Sequence, residues 1–211
     1  MKKSLPLLGF SVALATALFA LTFRGPRKKF WDRMTGTGIT LGGLALTSQP
    51  ELRKTPIGLK EIILGFGSAA GLYGIFHVGD KMSRKIVPNG GQQIDSIYAL
   101  KQLRPRKELM LRLGLVVGPS EEIFWHGFLQ DGLMKKFGKF WGWMMSTAAY
   151  GTVHTVSGNF TLVGAATIAG GFWGAMYALG VPLGALIVGH IAWDNIIFLI
   201  APTTKLEEEI K

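Results

Sequence analysis

The 211-residue chain contains no cysteine. A disulfide framework, a thiolate nucleophile and thiolate metal ligation are therefore excluded. Charge is scarce as well: 17% of the residues are charged, against about 25% in a typical soluble domain. Acidic residues are the scarcer kind, 13 against 23 lysines and arginines, for a net charge of +10. The basic residues fall in short clusters between apolar stretches, as cytoplasmic loops of membrane proteins do, so the excess charge does not point to nucleic acid. Histidine occurs at only four positions, His77, His126, His154 and His190. No internal repeat of fixed period is visible.

Apolar residues, by contrast, make up 48% of the chain, with 29 glycines and six tryptophans. Glycine suits helices that pack closely in lipid, and tryptophan suits anchoring at the membrane interface. These features predict an all-α fold: a polytopic transmembrane helical bundle of about seven segments, forming one multi-span domain over residues 1–211.

The N-terminus, Met1-Lys2-Lys3 before an apolar run over 5–23, has the outline of a signal peptide. The run is about 19 residues long and a basic cluster follows at once (Arg24, Arg27, Lys28, Lys29, Arg33), so a retained first span is expected. A glycine-rich stretch over 34–47, about 15 residues, is marginal for spanning, and 57–79 is a better span. Residues 80–107 are polar and basic, with a turn at Pro88-Asn89-Gly90-Gly91 and a short surface helix expected over 92–103. Four apolar segments follow, at 109–133, 140–156, 160–179 and 183–200. Their breaks are Lys135-Lys136-Phe137-Gly138-Lys139, Ser157-Gly158-Asn159 and Gly180-Val181-Pro182. The tail from Thr203 is polar and expected to fray.

Seven spans place the basic loops 24–33 and 80–107 on one side, which the positive-inside rule makes the cytoplasm, with the N-terminus outside and the C-terminus inside. Lys2, Lys3, Lys135, Lys136 and Lys139 run against that rule. Residues 1–108 thus supply N-terminal spans and a basic loop, and 109–200 supply the helices that carry chemistry.

Adjacent glutamates, Glu121 and Glu122, lie in the apolar run Leu115 to Leu129. An ionisable side chain in a bilayer costs several kcal/mol and marks a functional site by default. Glu122 and His126 are spaced i, i+4, on one helix face. His154 falls late in the next segment, and His190 and Asp194 form a second i, i+4 pair in the last. Glu121 lies about twelve residues into its segment, or ~18 Å at 1.5 Å per residue, near mid-bilayer in a core ~30 Å thick. Three helices therefore present polar groups to one interior if those faces converge. His77, with Asp80 one turn on, is instead expected to be an interhelical hydrogen-bonding group.

At these residues the sequence resembles the CAAX-processing and bacteriocin-processing intramembrane endopeptidases. That family carries Glu-Glu-x-x-x-Arg, Phe-x-x-x-His and His-x-x-x-Asn/Asp on separate membrane helices. Here they read Glu121-Glu122-Ile123-Phe124-Trp125-His126, Tyr150-Gly151-Thr152-Val153-His154 and His190-Ile191-Ala192-Trp193-Asp194, within roughly 109–200. The resemblance implies hydrolysis of a peptide bond in a membrane-associated protein or peptide. It implies that Glu121 activates water with help from His154, that Glu122 orients the first motif through the sixth-position side chain, and that His190 and Asp194 stabilise the oxyanion.

Two departures stand out. His126 replaces an arginine, so a permanent positive charge becomes one that depends on protonation. Tyr150 replaces a phenylalanine and keeps the aromatic body. An ionised Asp194 only accepts hydrogen bonds, so either it is protonated or it orients His190.

No cofactor is certain. Glu121, His154, His190 and Asp194 are also a competent donor set for zinc or a similar divalent ion. No familiar zinc signature is present, and the pattern favours metal-independent activation of water. Two other classes stay open: a non-enzymatic bacteriocin-immunity or interaction protein on the same scaffold, and a small proton or solute transporter. The missing repeat speaks against the transporter. The expected partners are the lipid bilayer and a membrane-associated protein or peptide substrate, in a bacterial cell (inner) membrane; no oligomeric state follows.

Overall fold

Ser4 and Pro6 open the first helix. The Ser4 hydroxyl accepts from the Leu7 amide, and a proline in the first turn costs no hydrogen bond. In the computed structural model, which describes residues 4–203, this helix is α1, Leu5–Arg24. Lys2, Lys3 and positions 204–211 of the polar tail lie outside the described residues. Then come α2 (Phe30–Ser48), α3 (Leu59–Ile86), α4 (Gly90–Tyr98) and a long helical run over 106–137, α5. The chain ends with α6 (Lys139–Val153), α7 (Phe160–Ala178) and α8 (Leu183–Ile200). Among the described residues there is no strand.

Glycines with positive φ close the tight connections: Gly138 (83°), Gly158 (69°) and Gly180 (95°) sit in the three expected breaks. The surface helix is also found, as α4 plus the 3₁₀ turn Ala99–Leu103. Two helices outrun the apolar pattern. Helix α2 begins at Phe30, and Asp32 in its first turn, which looks like loop, pairs with Arg104 and Arg112 at 2.9 and 3.0 Å. Helix α3 spans 28 residues, roughly 42 Å at 1.5 Å per residue, longer than the hydrocarbon core. Its last turns carry Asp80 and Arg84, an i, i+4 pair at 2.6 Å, so residues read as loop continue the helix. His77 is exposed on α3, its ring 6.4 Å from Tyr73. Asp80 turns instead to Arg84 and Thr203, so the interhelical role expected for His77 is not seen.

Among the described residues, four helices, α1, α3, α7 and α8, are long and apolar enough to cross a membrane. Much of their apolar surface faces outward: Phe10, Leu21, Ile63, Phe66 and Val78 are exposed. In water such a surface would drive aggregation; lipid removes the penalty. Packing inside relies on small residues. A methyl group on Gly65 would sit 2.6 Å from Val188, so α3 and α8 touch along their backbones. Gly42 meets Ser120 in the same way, at 2.9 Å, bringing α2 against α5 beside Glu121.

The connections after α1, before α5 and after α6 meet at one end of the bundle. There Arg24 donates to the Val156 carbonyl, Arg27 to Ser96 and the Trp31 indole to Leu100. Thr203 joins them: its hydroxyl donates to Asp80 at 2.6 Å and accepts from Tyr98 at 3.0 Å. Burial pushes the Tyr98 phenol above its ordinary pKa, which keeps it a neutral donor.

Candidate active site

The backbone of α5 departs from an α-helix around the two glutamates. Pro119 has no amide to donate, and just before it the ladder widens: the Gly118 amide bonds to the Leu113 carbonyl, five residues back. A second π segment runs from Ile123 to Gln130. Glu121 and Glu122 occupy the short α turn between them. Such π insertions cluster at functional sites. A third follows Asp194, over Asn195–Ile200.

Successive helical residues point about 100° apart, and the two carboxylates part accordingly. Glu121 faces α6, where the Tyr150 hydroxyl donates to its Oε2 at 2.5 Å. Glu122 faces α8, with His190 Nδ1 2.7 Å from its Oε1. Both are buried, at 8% and 2% exposure, so each needs its partner.

His154 ends α6 and opens a 3₁₀ turn. Its Nδ1 lies 2.8 Å from the Tyr150 carbonyl. A carbonyl only accepts, so Nδ1 carries a proton, and in the neutral form of the ring the lone pair is at Nε2. The ring is held edge-on by Phe19 at 4.9 Å and Tyr150 at 4.8 Å. His190 stacks on Trp173, with centroids 4.5 Å apart, and Asp194 Oδ2 lies 3.6 Å from its Nε2.

Glu121, Tyr150, His154, His190 and Asp194 all line one cavity of about 510 Å³. Its remaining wall is largely apolar, with Met34, Ile75, Ile97, Ile168 and Phe198 among its side chains. The cavity reaches Tyr98 and Thr203 at the basic end. Two of the six polar residues named from sequence are not in its lining. Glu122 stands behind His190. His126 is buried, its Nδ1 2.8 Å from Gln130 Oε1, with Nε2 3.6 Å from Glu122 Oε2. The short contact of Glu122 is therefore with the third motif, and its contact with the sixth position is longer.

Among the described residues, no three histidine or carboxylate side chains are grouped to hold a metal ion. Glu121 is taken by Tyr150, Nδ1 of His154 by a carbonyl, and Nδ1 of His190 by Glu122. Glu121, His154, His190 and Asp194 share a cavity, but their side chains are not grouped closely enough to hold a divalent ion.

Three contributors escape sequence reasoning. Gln130 links His126 to the Gly174 carbonyl, donating at 2.7 Å; its i+4 spacing from His126 inside an apolar run was a usable signal. The Tyr150 hydroxyl reads as a conservative aromatic change. Trp173 carries no signal at all, because only the fold lays it on His190.

Fold and site together define an integral membrane protein with a polar cluster sunk among apolar helices. Residues 108–196 match the family model described as Type II CAAX prenyl endopeptidase Rce1-like, the family that the three motifs resemble. The match supports an intramembrane endopeptidase at the level of the family. Neither curated proteins nor solved structures gave a match to the chain.

Proposed function

We propose that the protein hydrolyses a peptide bond of a membrane-associated protein or peptide, using water activated by Glu121 and His154. The observation that carries this reading is the shared cavity: a carboxylate, two imidazoles and a second carboxylate from three helices face one space within an apolar bundle. Glu121 Oε1 and His154 Nε2 would each accept a hydrogen bond from one water molecule. The lone pair of that water is then left for the scissile carbonyl carbon. Glu121 takes the proton as the carbon–oxygen bond forms and passes it to the leaving nitrogen as the carbon–nitrogen bond breaks.

His190 in its imidazolium form donates Nε2–H to the oxyanion. Glu122 accepts from its Nδ1 and fixes the ring, as a buried carboxylate does for a catalytic histidine. Asp194, beside Nε2, balances the imidazolium charge. No step needs a metal ion. With the basic loops in the cytoplasm, the cavity opens toward the cytoplasmic leaflet of what we take to be a bacterial inner membrane.

The test uses purified protein in proteoliposomes with two probes, a farnesylated C-a-a-X peptide and an unmodified apolar peptide, with products identified by mass spectrometry. Wild-type protein cleaves at least one. Glu121→Gln, His154→Ala and His190→Ala each abolish cleavage while still inserting. Cleavage of neither probe by wild type, or wild-type rates from Glu121→Gln, overturns the reading.

A further inference from the structure

We infer that Tyr150 is a positioning residue for the base, pinning one oxygen of Glu121 so that the other alone faces water. This inference rests on the endopeptidase reading above. Three observations converge on it. The Tyr150 hydroxyl donates to Glu121 Oε2, and among the described residues Glu121 Oε1 has no protein partner. The Tyr150 carbonyl accepts from His154 Nδ1 at 2.8 Å. One residue thus sets both water-binding groups, the base through its side chain and the imidazole through its backbone.

The ring that carries the hydroxyl has little freedom. It meets Trp125 edge-on at 4.9 Å and His154 at 4.8 Å. On the third side α7 approaches at Gly170, where a methyl group would come within 2.5 Å of Tyr150 Cδ1. The hydroxyl is therefore delivered to Glu121 by packing.

A carboxylate has two equivalent oxygens and a soft terminal torsion. In water the solvent holds it; in this bundle Glu121 is 8% exposed and depends on protein donors. With a phenylalanine ring at the same place, Oε2 would lose its donor and the group could turn. A misplacement of about 1 Å costs on the order of 10²-fold in rate. The hydroxyl keeps its own proton throughout: it donates to Oε2 before and after Oε1 receives the proton of water.

The test is Tyr150→Phe in the same proteoliposomes and with the same probes, read as separate kcat and KM values together with thermal unfolding in detergent. The expected result is a kcat lower by about 10- to 100-fold, a KM within about twofold, and an unchanged unfolding temperature. Tyr150→Ala, which also removes the ring, lowers the unfolding temperature too, because it opens a void. If wild type cleaves, Glu121→Gln does not, and Tyr150→Phe keeps the wild-type kcat, the positioning role is overturned while the endopeptidase reading stands. The positioning role is equally overturned if the kcat loss of Tyr150→Phe tracks a fall in folded protein. If wild type cleaves neither probe, the underlying reading fails first.

Discussion

Glu122 on α5 and His190 on α8 lie 68 positions apart in the chain and meet at 2.7 Å, both almost fully buried. This contact ties the first motif to the third. It also divides the labour of the adjacent glutamates: one faces the cavity, and the other stands behind an imidazole.

Removing one member of a buried pair leaves the other uncompensated, at a cost of about 3–5 kcal/mol. Glu122→Ala should therefore lower the unfolding temperature in detergent and abolish cleavage together. Glu122→Gln keeps an acceptor for His190 Nδ1 but not the charge, so it should fold near normally and lose about 10- to 10⁴-fold in kcat, the upper end being the loss when the carboxylate of a serine-protease triad is made an amide. Wild-type turnover in Glu122→Gln would remove Glu122 from the mechanism.

Gly42 allows α2 to press on Ser120, one residue before Glu121. A methyl group there would lie 2.9 Å from Ser120 Oγ and 3.1 Å from its Cβ. Gly42→Ala should destabilise the bundle by about 1–3 kcal/mol through overpacking and reduce cleavage by shifting Glu121. Combining it with Ser120→Gly should recover part of both losses, because the two sites couple. Strict additivity in a double-mutant cycle of unfolding free energies would refute the contact.

Gly164 on α7 lines the cavity with open space where a side chain would go. Gly164→Phe should leave unfolding unchanged or slightly improved, since glycine is about 1 kcal/mol worse than a good helix former. It should raise KM several-fold with little change in kcat. An unaltered KM for both peptides would mean that substrate enters elsewhere.

Because the described histidines and carboxylates are not grouped to hold a metal ion, cleavage should survive removal of divalent ions. Exhaustive chelation followed by elemental analysis of the purified protein checks this directly. Loss of activity on chelation, restored by zinc, would show that substrate or metal rearranges the pairs.

The sequence alone determined the helical architecture and the candidate residues of the site. Apolar segment lengths, basic clusters and Gly138, Gly158 and Gly180 placed the helices, because hydrophobic run length and the left-handed backbone of glycine are local properties. The spacing of Glu121, Glu122, His154, His190 and Asp194 marked the candidates, because ionisable groups in apolar runs are costly wherever they fold. Local charge misled the reading at Asp32 and Asp80, where helices continue through ion pairs made with distant or next-turn arginines.

Only the tertiary structure decided who pairs with whom. It paired Glu122 with His190 and Glu121 with Tyr150, and laid Trp173 on His190. A straight α-helix does not anticipate the two π segments that flank the glutamates, and rotation about a helix axis is set by packing against neighbours. Sequence spacing limits which side chains share a face; the fit of the helices against one another determines which face meets which.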